Sequence, residues 1–193
     1  MKKTIVAVMV AASAVLSAQA LATNTAEVTI LGEVADAANS CEVTPTGTLN
    51  NGIVRLSTVT TSEANGKAAN TLFKTSEFGY DVANCAKGSA NQANVNGLTV
   101  SVVGTTNSNA NILENTAEEG AANIGVGIMN KKNSARLAFD GSSTNEAYTP
   151  GSVTKLQYVA GYVKINDTDT VTEGPVKGVA TFTIDYTTAT VTP

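Results

Sequence analysis

Histidine and tryptophan are both missing from the 193 residues, and aromatic residues make up only 5% of the chain. Histidine is the commonest general base in enzymes and a frequent metal ligand, so its absence argues against both kinds of site. The serines and carboxylates lie in turn-rich stretches, and no G-x-S-x-G motif is present. We therefore expect no catalytic centre, no cofactor and no metal. The scarcity of aromatic residues means that the core has to be built mainly from Val, Ile, Leu and Ala.

Charge is also scarce, at 15% of residues against 42% hydrophobic ones. This balance is typical of a globular domain, and it is too apolar for a disordered tail. Acidic residues outnumber basic ones by 16 to 12, and no long basic cluster occurs. An acidic chain binds phosphate backbones poorly, so nucleic acids and anionic membrane surfaces are unlikely partners in physical terms.

The first 22 residues have the pattern of a secretory signal peptide. Lys2 and Lys3 form a positive start, and an apolar run follows from Ile5 to Val15. That run is shorter than the ~20 residues that a membrane-spanning helix needs. Small residues then provide two overlapping A-x-A sites, which place cleavage after Ala20 or Ala22, with Ala22 preferred. Export removes two lysines and takes the net charge from −4 to −6.

Two cysteines, Cys41 and Cys85, lie in the exported part of the chain. Cysteines in an oxidising compartment usually pair, so we expect a disulfide between them. The loop of about 44 residues that it closes corresponds to roughly 4 kcal/mol of stabilisation in the chain-entropy model. The alternative, a metal or redox site, lacks both a C-x-x-C spacing and a histidine.

Short stretches that alternate apolar and polar residues dominate the mature chain, and Gly, Asn, Ser and Thr clusters separate them. No helix of three turns is evident. Regularly spaced short strands with turn-rich connections predict an all-β sandwich in one domain. The predicted strands are Val28–Ala37, Ile53–Val59, Glu77–Val82 leading into Cys85, Leu98–Val103, Ile124–Met129, Leu156–Ile165 and Gly178–Tyr186. The stretch Ile112–Ala122 could form a helical turn, but a sandwich loop is the preferred interpretation.

Residues 24–31 at the start of the mature chain alternate cleanly. Asn24, Ala26, Val28 and Ile30 fall on one side of an extended segment. Two interpretations fit this pattern: the first strand of the sandwich, or a strand meant for another molecule. Periodicity alone does not choose between them.

Five stretches, which cover nearly the whole mature chain in order, resemble the subunits of chaperone–usher fimbriae, particularly the type 1 fimbrial rod subunit. They are Val28–Cys41, Tyr80–Cys85, Asn123–Met129 followed by Ala138–Gly141, Leu156–Tyr162, and Gly178–Tyr186 with its A-T-F-x-I-x-Y pattern.

This resemblance implies an incomplete Ig-like β-sandwich, the pilin fold, that a donor strand from a neighbouring subunit completes. The domains would be a signal peptide at 1–22, a donor-strand extension at 23–31 and a pilin domain at 32–193. The implied partners are identical or related pilin subunits, a periplasmic chaperone that lends a strand, and an outer-membrane usher. Subunits would be exported through the periplasm to the cell surface and would polymerise head-to-tail into a fimbria used in cell adhesion.

Carried over position by position, the resemblance assigns Ala26, Val28 and Ile30 to the donor strand, with Asn24 at its far end. The last strand would line the acceptor groove, which is also the chaperone contact, and the first strand after Gly32 would form the other edge. The groove residues on the last strand are Ala180, Phe182, Ile184 and Tyr186.

Two features depart from the family pattern. The chain continues past Tyr186 for seven residues, to Pro193, and the role of this tail is open. Ala26 occupies a donor-strand position where the family often has glycine. A minor or tip-adapter pilin, or a receptor-binding adhesin of the same system, remains an alternative to the rod subunit. A two-domain adhesin fits less well because the chain has room for one domain.

Overall fold

The structure is a computed structural model, and it describes residues 26–32, 39–87 and 95–188. The expected signal peptide, Asn24 and the tail beyond Thr188 lie outside these ranges. Two packed sheets form the domain, in agreement with the predicted all-β sandwich. The strands are β1 (Ala26–Gly32), β2 (Asn39–Gly47), β3 (Ile53–Leu56), β4 (Leu72–Lys87), β5 (Val95–Gly104), β6 (Ile124–Asn130), β7 (Asp140–Ala147), β8 (Thr154–Lys164) and β9 (Val176–Thr188), and a short helix α1 spans Thr61–Asn65.

The first sheet has five strands in the order β3-β1-β9-β5-β7, and the second has four in the order β2-β4-β8-β6. All pairings are antiparallel except that of β1 with β9, which is parallel. The two inner faces enclose one core built mainly from Val, Ile, Leu and a few aromatic residues. In the part of the chain that the structure describes, no helix is long and apolar enough to cross a membrane.

Strand β9 shows how the alternating sequence produces the sandwich. Its residues at even positions from Val176 to Ile184 are buried, whereas Lys177, Thr181, Thr183 and Asp185 between them are exposed. Successive side chains on a strand point to opposite faces, so one face of β9 joins the core and the other meets solvent.

Strands β6 and β8 depart from this alternation because loops cover their outer face. A Cβ on Gly125 would come within 2.6 Å of the Ile112 side chain, and one on Gly127 would overlap the guanidinium of Arg136. Glycines at these positions let the loop over residues 105–122 and the Arg136 side chain lie directly on the sheet. As a result, nearly every residue of β6 is buried.

Local turn chemistry sets the short elements. Asn51 and Gly52 have φ angles of 50° and 76°, which suit the tight two-residue turn that leads into β3. At α1, the hydroxyl of Thr60 accepts a hydrogen bond from the backbone N–H of Glu63 (3.2 Å), and the helix ends at Gly66. The sequence analysis did not predict α1, but its five residues are consistent with the absence of long helices.

Candidate functional site: a strand slot between β3 and β9

The space between β3 and β9 is filled by β1, and we call this space the strand slot. Residues Ala26 to Gly32 run parallel to β9 and stand beside Val176 to Phe182. On the other side, Ala26 to Thr29 run antiparallel to β3, opposite Leu56 to Ile53. The segment predicted as a donor strand therefore occupies a slot in its own chain, and backbone ladders on both sides hold it there.

The far wall of the slot differs from the expected one. The first strand after Gly32 is β2, and it pairs with β4 in the opposite sheet. The prediction that this strand forms the second edge of the groove was wrong; β3 forms that edge instead. The side chains of Val54 and Leu56 on β3 are buried in the core. Short β3 has only four residues, so the wall that it provides is shorter than that of β9.

On the β9 wall, the four predicted groove residues lie on one face. Ala180 and Phe182 are buried at 0% and 1% exposure, Ile184 is buried, and Tyr186 is half-buried against the core. The pairing with β1 reaches Ala180 and Phe182 but stops there. Ile184 and Tyr186 lie beyond the described end of β1, on the part of β9 that pairs with β5.

Phe182 is the anchor of this wall. Its ring lies 5.1 Å from the ring of Tyr158, 5.6 Å from that of Tyr80 and 6.0 Å from that of Phe78. Tilted and edge-on arrangements at these distances are favourable between aromatic rings. Because all three partners belong to the opposite sheet, Phe182 joins the strand slot to the four-stranded sheet.

Burial also perturbs the tyrosines of this part of the core. Desolvation raises the pKa of Tyr80 and of Tyr158 well above the ordinary phenol value, and it raises the pKa of Tyr162 to about 12. The rings are held neutral by the apolar surroundings, and they act as core residues. Burial lowers the pKa of the Arg136 guanidinium, which donates to the backbone carbonyl of Asn111 (2.9 Å).

A cavity of about 270 Å³ continues the slot beyond Ala26. It is bounded on one side by Thr58–Thr61, which follow β3, and on the other by Val171–Val176, which lead into β9. A pair of hydrogen bonds fixes its outer wall. The amide of Asn65 donates to the Val171 carbonyl (3.2 Å), and its oxygen accepts from the Val171 N–H (2.7 Å).

The predicted disulfide is confirmed. Cys41 on β2 and Cys85 on β4 are bonded, and both are buried. The backbone N–H of Cys85 donates to the hydroxyl of Tyr148 (3.1 Å), which follows β7. This bond ties the disulfide in the four-stranded sheet to the edge of the five-stranded one. Sequence reasoning did not identify Tyr148, since its partner is a backbone group 63 residues away.

The fimbrial protein family model matches residues 28–187. The chain belongs to the fimbrial protein family. The match begins inside β1 and ends in β9, so it spans both walls of the strand slot. The resemblance inferred from the sequence is thus confirmed, and the chain is a fimbrial subunit, a component of a surface pilus. The family is a structural one. No curated protein sequence matches the chain.

Solved structures of pilus proteins share this fold. The P pilus rod subunit PapA is 19% identical with a TM-score of 0.56, over 76% of this chain and 99% of that one. A chaperone–usher pilus, whose structure was described for rod uncoiling, is 19% identical with a TM-score of 0.51, over 81% of this chain and 92% of that one. The CupB6 tip adhesin of Pseudomonas aeruginosa is 17% identical with a TM-score of 0.47, and 64% of this chain covers only 36% of it.

Proposed function

We propose that this protein is a structural subunit of a surface fimbria that polymerises head-to-tail by donor-strand exchange and contributes to cell adhesion. In the exchange, the β1 segment leaves the strand slot of its own chain and enters that of the next subunit. The observation that carries the proposal is the pairing of β1 with β3 and β9. The most N-terminal described strand stands in the middle of a sheet, between strands that follow it in sequence.

The contacts that hold β1 are of a kind that a second chain can reproduce. Seven residue pairs join it to β9 and four join it to β3 through backbone hydrogen bonding, which any extended chain can supply. Identical segments in identical slots make identical ladders. Exchange between copies therefore replaces each intramolecular ladder with an equivalent intermolecular one, and head-to-tail repetition yields a fibre.

Departure of β1 would uncover an apolar surface. The inner positions of both walls are buried core residues, among them Val54, Leu56 and Phe182. An open slot of this kind would expose two unpaired strand edges and would favour aggregation. This hazard supports the partners that the resemblance implies: a periplasmic chaperone that shields the slot, and an outer-membrane usher at which subunits exchange strands during export.

The proposal is tested by disabling the donor strand in cells that express the full chain with its chaperone and usher. The variant Val28→Asp/Ile30→Asp places charges at positions in register with buried positions of β9. We expect it to abolish surface fibres seen by negative-stain electron microscopy, because a carboxylate is costly to bury without a partner. The matched variant Glu27→Gln/Thr29→Asp changes the alternate positions and is expected to assemble normally.

Fibres of normal number and length from Val28→Asp/Ile30→Asp would contradict the exchange mechanism. Immunogold labelling of wild-type fibres separates the possible positions of the subunit. Labelling along the whole shaft is expected for a rod subunit, whereas labelling confined to one end would assign the protein as a minor or tip-adapter pilin.

A further inference from the structure

Four residue pairs across the β1–β9 ladder combine a small residue with a larger one. They lie at even-numbered positions, where β9 faces the core, and in-register positions on neighbouring strands share a face of the sheet. The pairs are Ala26 with Val176, Val28 with Gly178, Ile30 with Ala180, and Gly32 with Phe182.

The sizes follow opposite patterns on the two strands. Along β1 the four positions read small, large, large, small, and along β9 they read large, small, small, large. Directly opposite residues in a sheet have Cβ atoms about 4.5–5.5 Å apart, so two large residues in one pair would compete for space in a close-packed core. The alternate positions, such as Thr29 with Val179, show no comparable pattern of sizes.

The β9 pattern is imposed by packing against the rest of the domain. A Cβ on Gly178 would already lie 3.0 Å from Cβ of Val126 and 3.2 Å from Cβ of Leu113. Ala180 is fully buried beside Gly104 of β5. Phe182 is fixed by three rings of the other sheet. The wall is therefore a rigid template, and the strand that fills the slot has to match it.

We propose that the strand slot selects its strand by residue size at these four positions, and that the matching is the same for both strand directions. This inference rests on the proposed function, and the selected occupant is the Ala26–Gly32 segment of this chain or of a second copy. Reversing the segment pairs Ala26 with Phe182, Val28 with Ala180, Ile30 with Gly178, and Gly32 with Val176. Each small residue still meets a large one, so size matching alone does not fix strand direction.

The first test asks whether Ile30 and Ala180 are coupled in the full-length protein. Ala180→Val overpacks the pair and is expected to lower Tm by about 2–12 °C. Ile30→Ala leaves a cavity and is also expected to lower Tm. In the double variant the removed atoms make room for the added ones, so its Tm should exceed that of Ala180→Val alone. Thermal unfolding followed by circular dichroism measures all four proteins.

The matched control replaces Ile30→Ala with Val54→Ala. Val54 is equally buried but stands in register with Val28 and not with residue 30. Its combination with Ala180→Val should show added losses, because distant changes are additive. Additive losses for the Ile30 pair as well would overturn the proposed size selection.

The second test supplies the strand as a peptide. The Val28→Asp/Ile30→Asp protein is refolded with excess synthetic peptide, and protection is read as Tm and as resistance to protease. Peptides with the Ala26–Gly32 sequence in forward and in reversed order should protect to a similar extent. A forward peptide carrying Ile30→Ala and Gly32→Val should protect at least tenfold less well in concentration. Equal protection by all three, no protection by the forward peptide, or a reversed peptide as weak as the altered one would each overturn the proposal.

These measurements use monomers, so they are independent of fibre assembly. Size coupling without fibres in cells would leave the selection rule standing and contradict the proposed polymerisation. Fibres without size coupling would do the reverse.

Discussion

Replacing Phe182 by Ala is expected to cost more stability than any change on the solvent face of the same strand. The side chain is 1% exposed and packs against three rings at 5.1–6.0 Å. Truncation of a buried Phe costs about 3–5 kcal/mol through lost transfer energy and the cavity left behind. Loss of three ring contacts places the expected value towards the upper end of that range. For a domain of this size the change corresponds to a fall in Tm of about 6–20 °C.

Urea unfolding monitored by circular dichroism gives the free energy of unfolding for this comparison. Thr183→Ala, one position further along β9 and exposed, serves as the control and should stay within about 0.5 kcal/mol of wild type. Phe182→Leu should lie between the two, because it keeps the apolar volume but loses the ring contacts. A loss below about 1 kcal/mol for Phe182→Ala would refute the assignment of this ring as the link between the sheets.

Three further results are expected. Reduction of the disulfide should lower the free energy of unfolding by roughly 4 kcal/mol, and intact-mass analysis of the oxidised protein should detect no free thiol. Gly79→Ala should destabilise strongly, because its Cβ would lie 2.3 Å from the Leu156 carbonyl oxygen; Gly66→Ala, whose Cβ meets nothing closer than 3.4 Å, should be tolerated, and equal stability of the two would contradict the packing. Stability should fall as pH rises from about 10 to 12, because the raised pKa of Tyr162, about 12, keeps its phenol neutral in the folded state while the unfolded chain ionises near 10; a stability profile that is flat across this range, measured by urea titration, would argue against its burial.

Strands with clear alternation were predictable from the sequence. The predicted strands at Leu98–Val103, Ile124–Met129, Leu156–Ile165 and Gly178–Tyr186 each coincide with the centre of an observed strand, to within a few residues at the ends. Alternation of Val, Ile and Thr with polar residues is a local property that burial of one sheet face produces. The predicted strand Val28–Ala37 is described only as far as Gly32.

The strands that sequence reasoning missed are those whose pairing does not depend on apolar alternation. Strand β7 (Asp140–Ala147) lies at the edge of its sheet, and most of its side chains are exposed, so it shows no alternation. Strand β2 contains Pro45 and also lies at an edge, where a missing N–H is tolerated. Backbone pairing to β5 and β4 creates these strands, and pairing between distant segments leaves little trace in the local sequence.

The candidate site was predictable in part. Ala180, Phe182 and Ile184 were named from the family resemblance, and they lie on the inner face of β9. The opposite wall was assigned to the wrong strand because nothing in the local sequence shows that the chain crosses to the other sheet before β2 begins. The Tyr148–Cys85 bond likewise depends on two segments that meet only in the folded domain.

The sequence by itself determined the chemistry of this protein: a cysteine pair able to bond, inward positions filled with small aliphatic residues, no histidine, and an N-terminal segment that alternates cleanly enough to be a strand. Composition and alternation are local, and they survive in any arrangement of the strands. Only the tertiary structure decided where the N-terminal segment stands, because strand order and register depend on contacts between distant parts of the chain. The same register sets Val28 and Ile30 beside Gly178 and Ala180, and it places Gly32 beside Phe182.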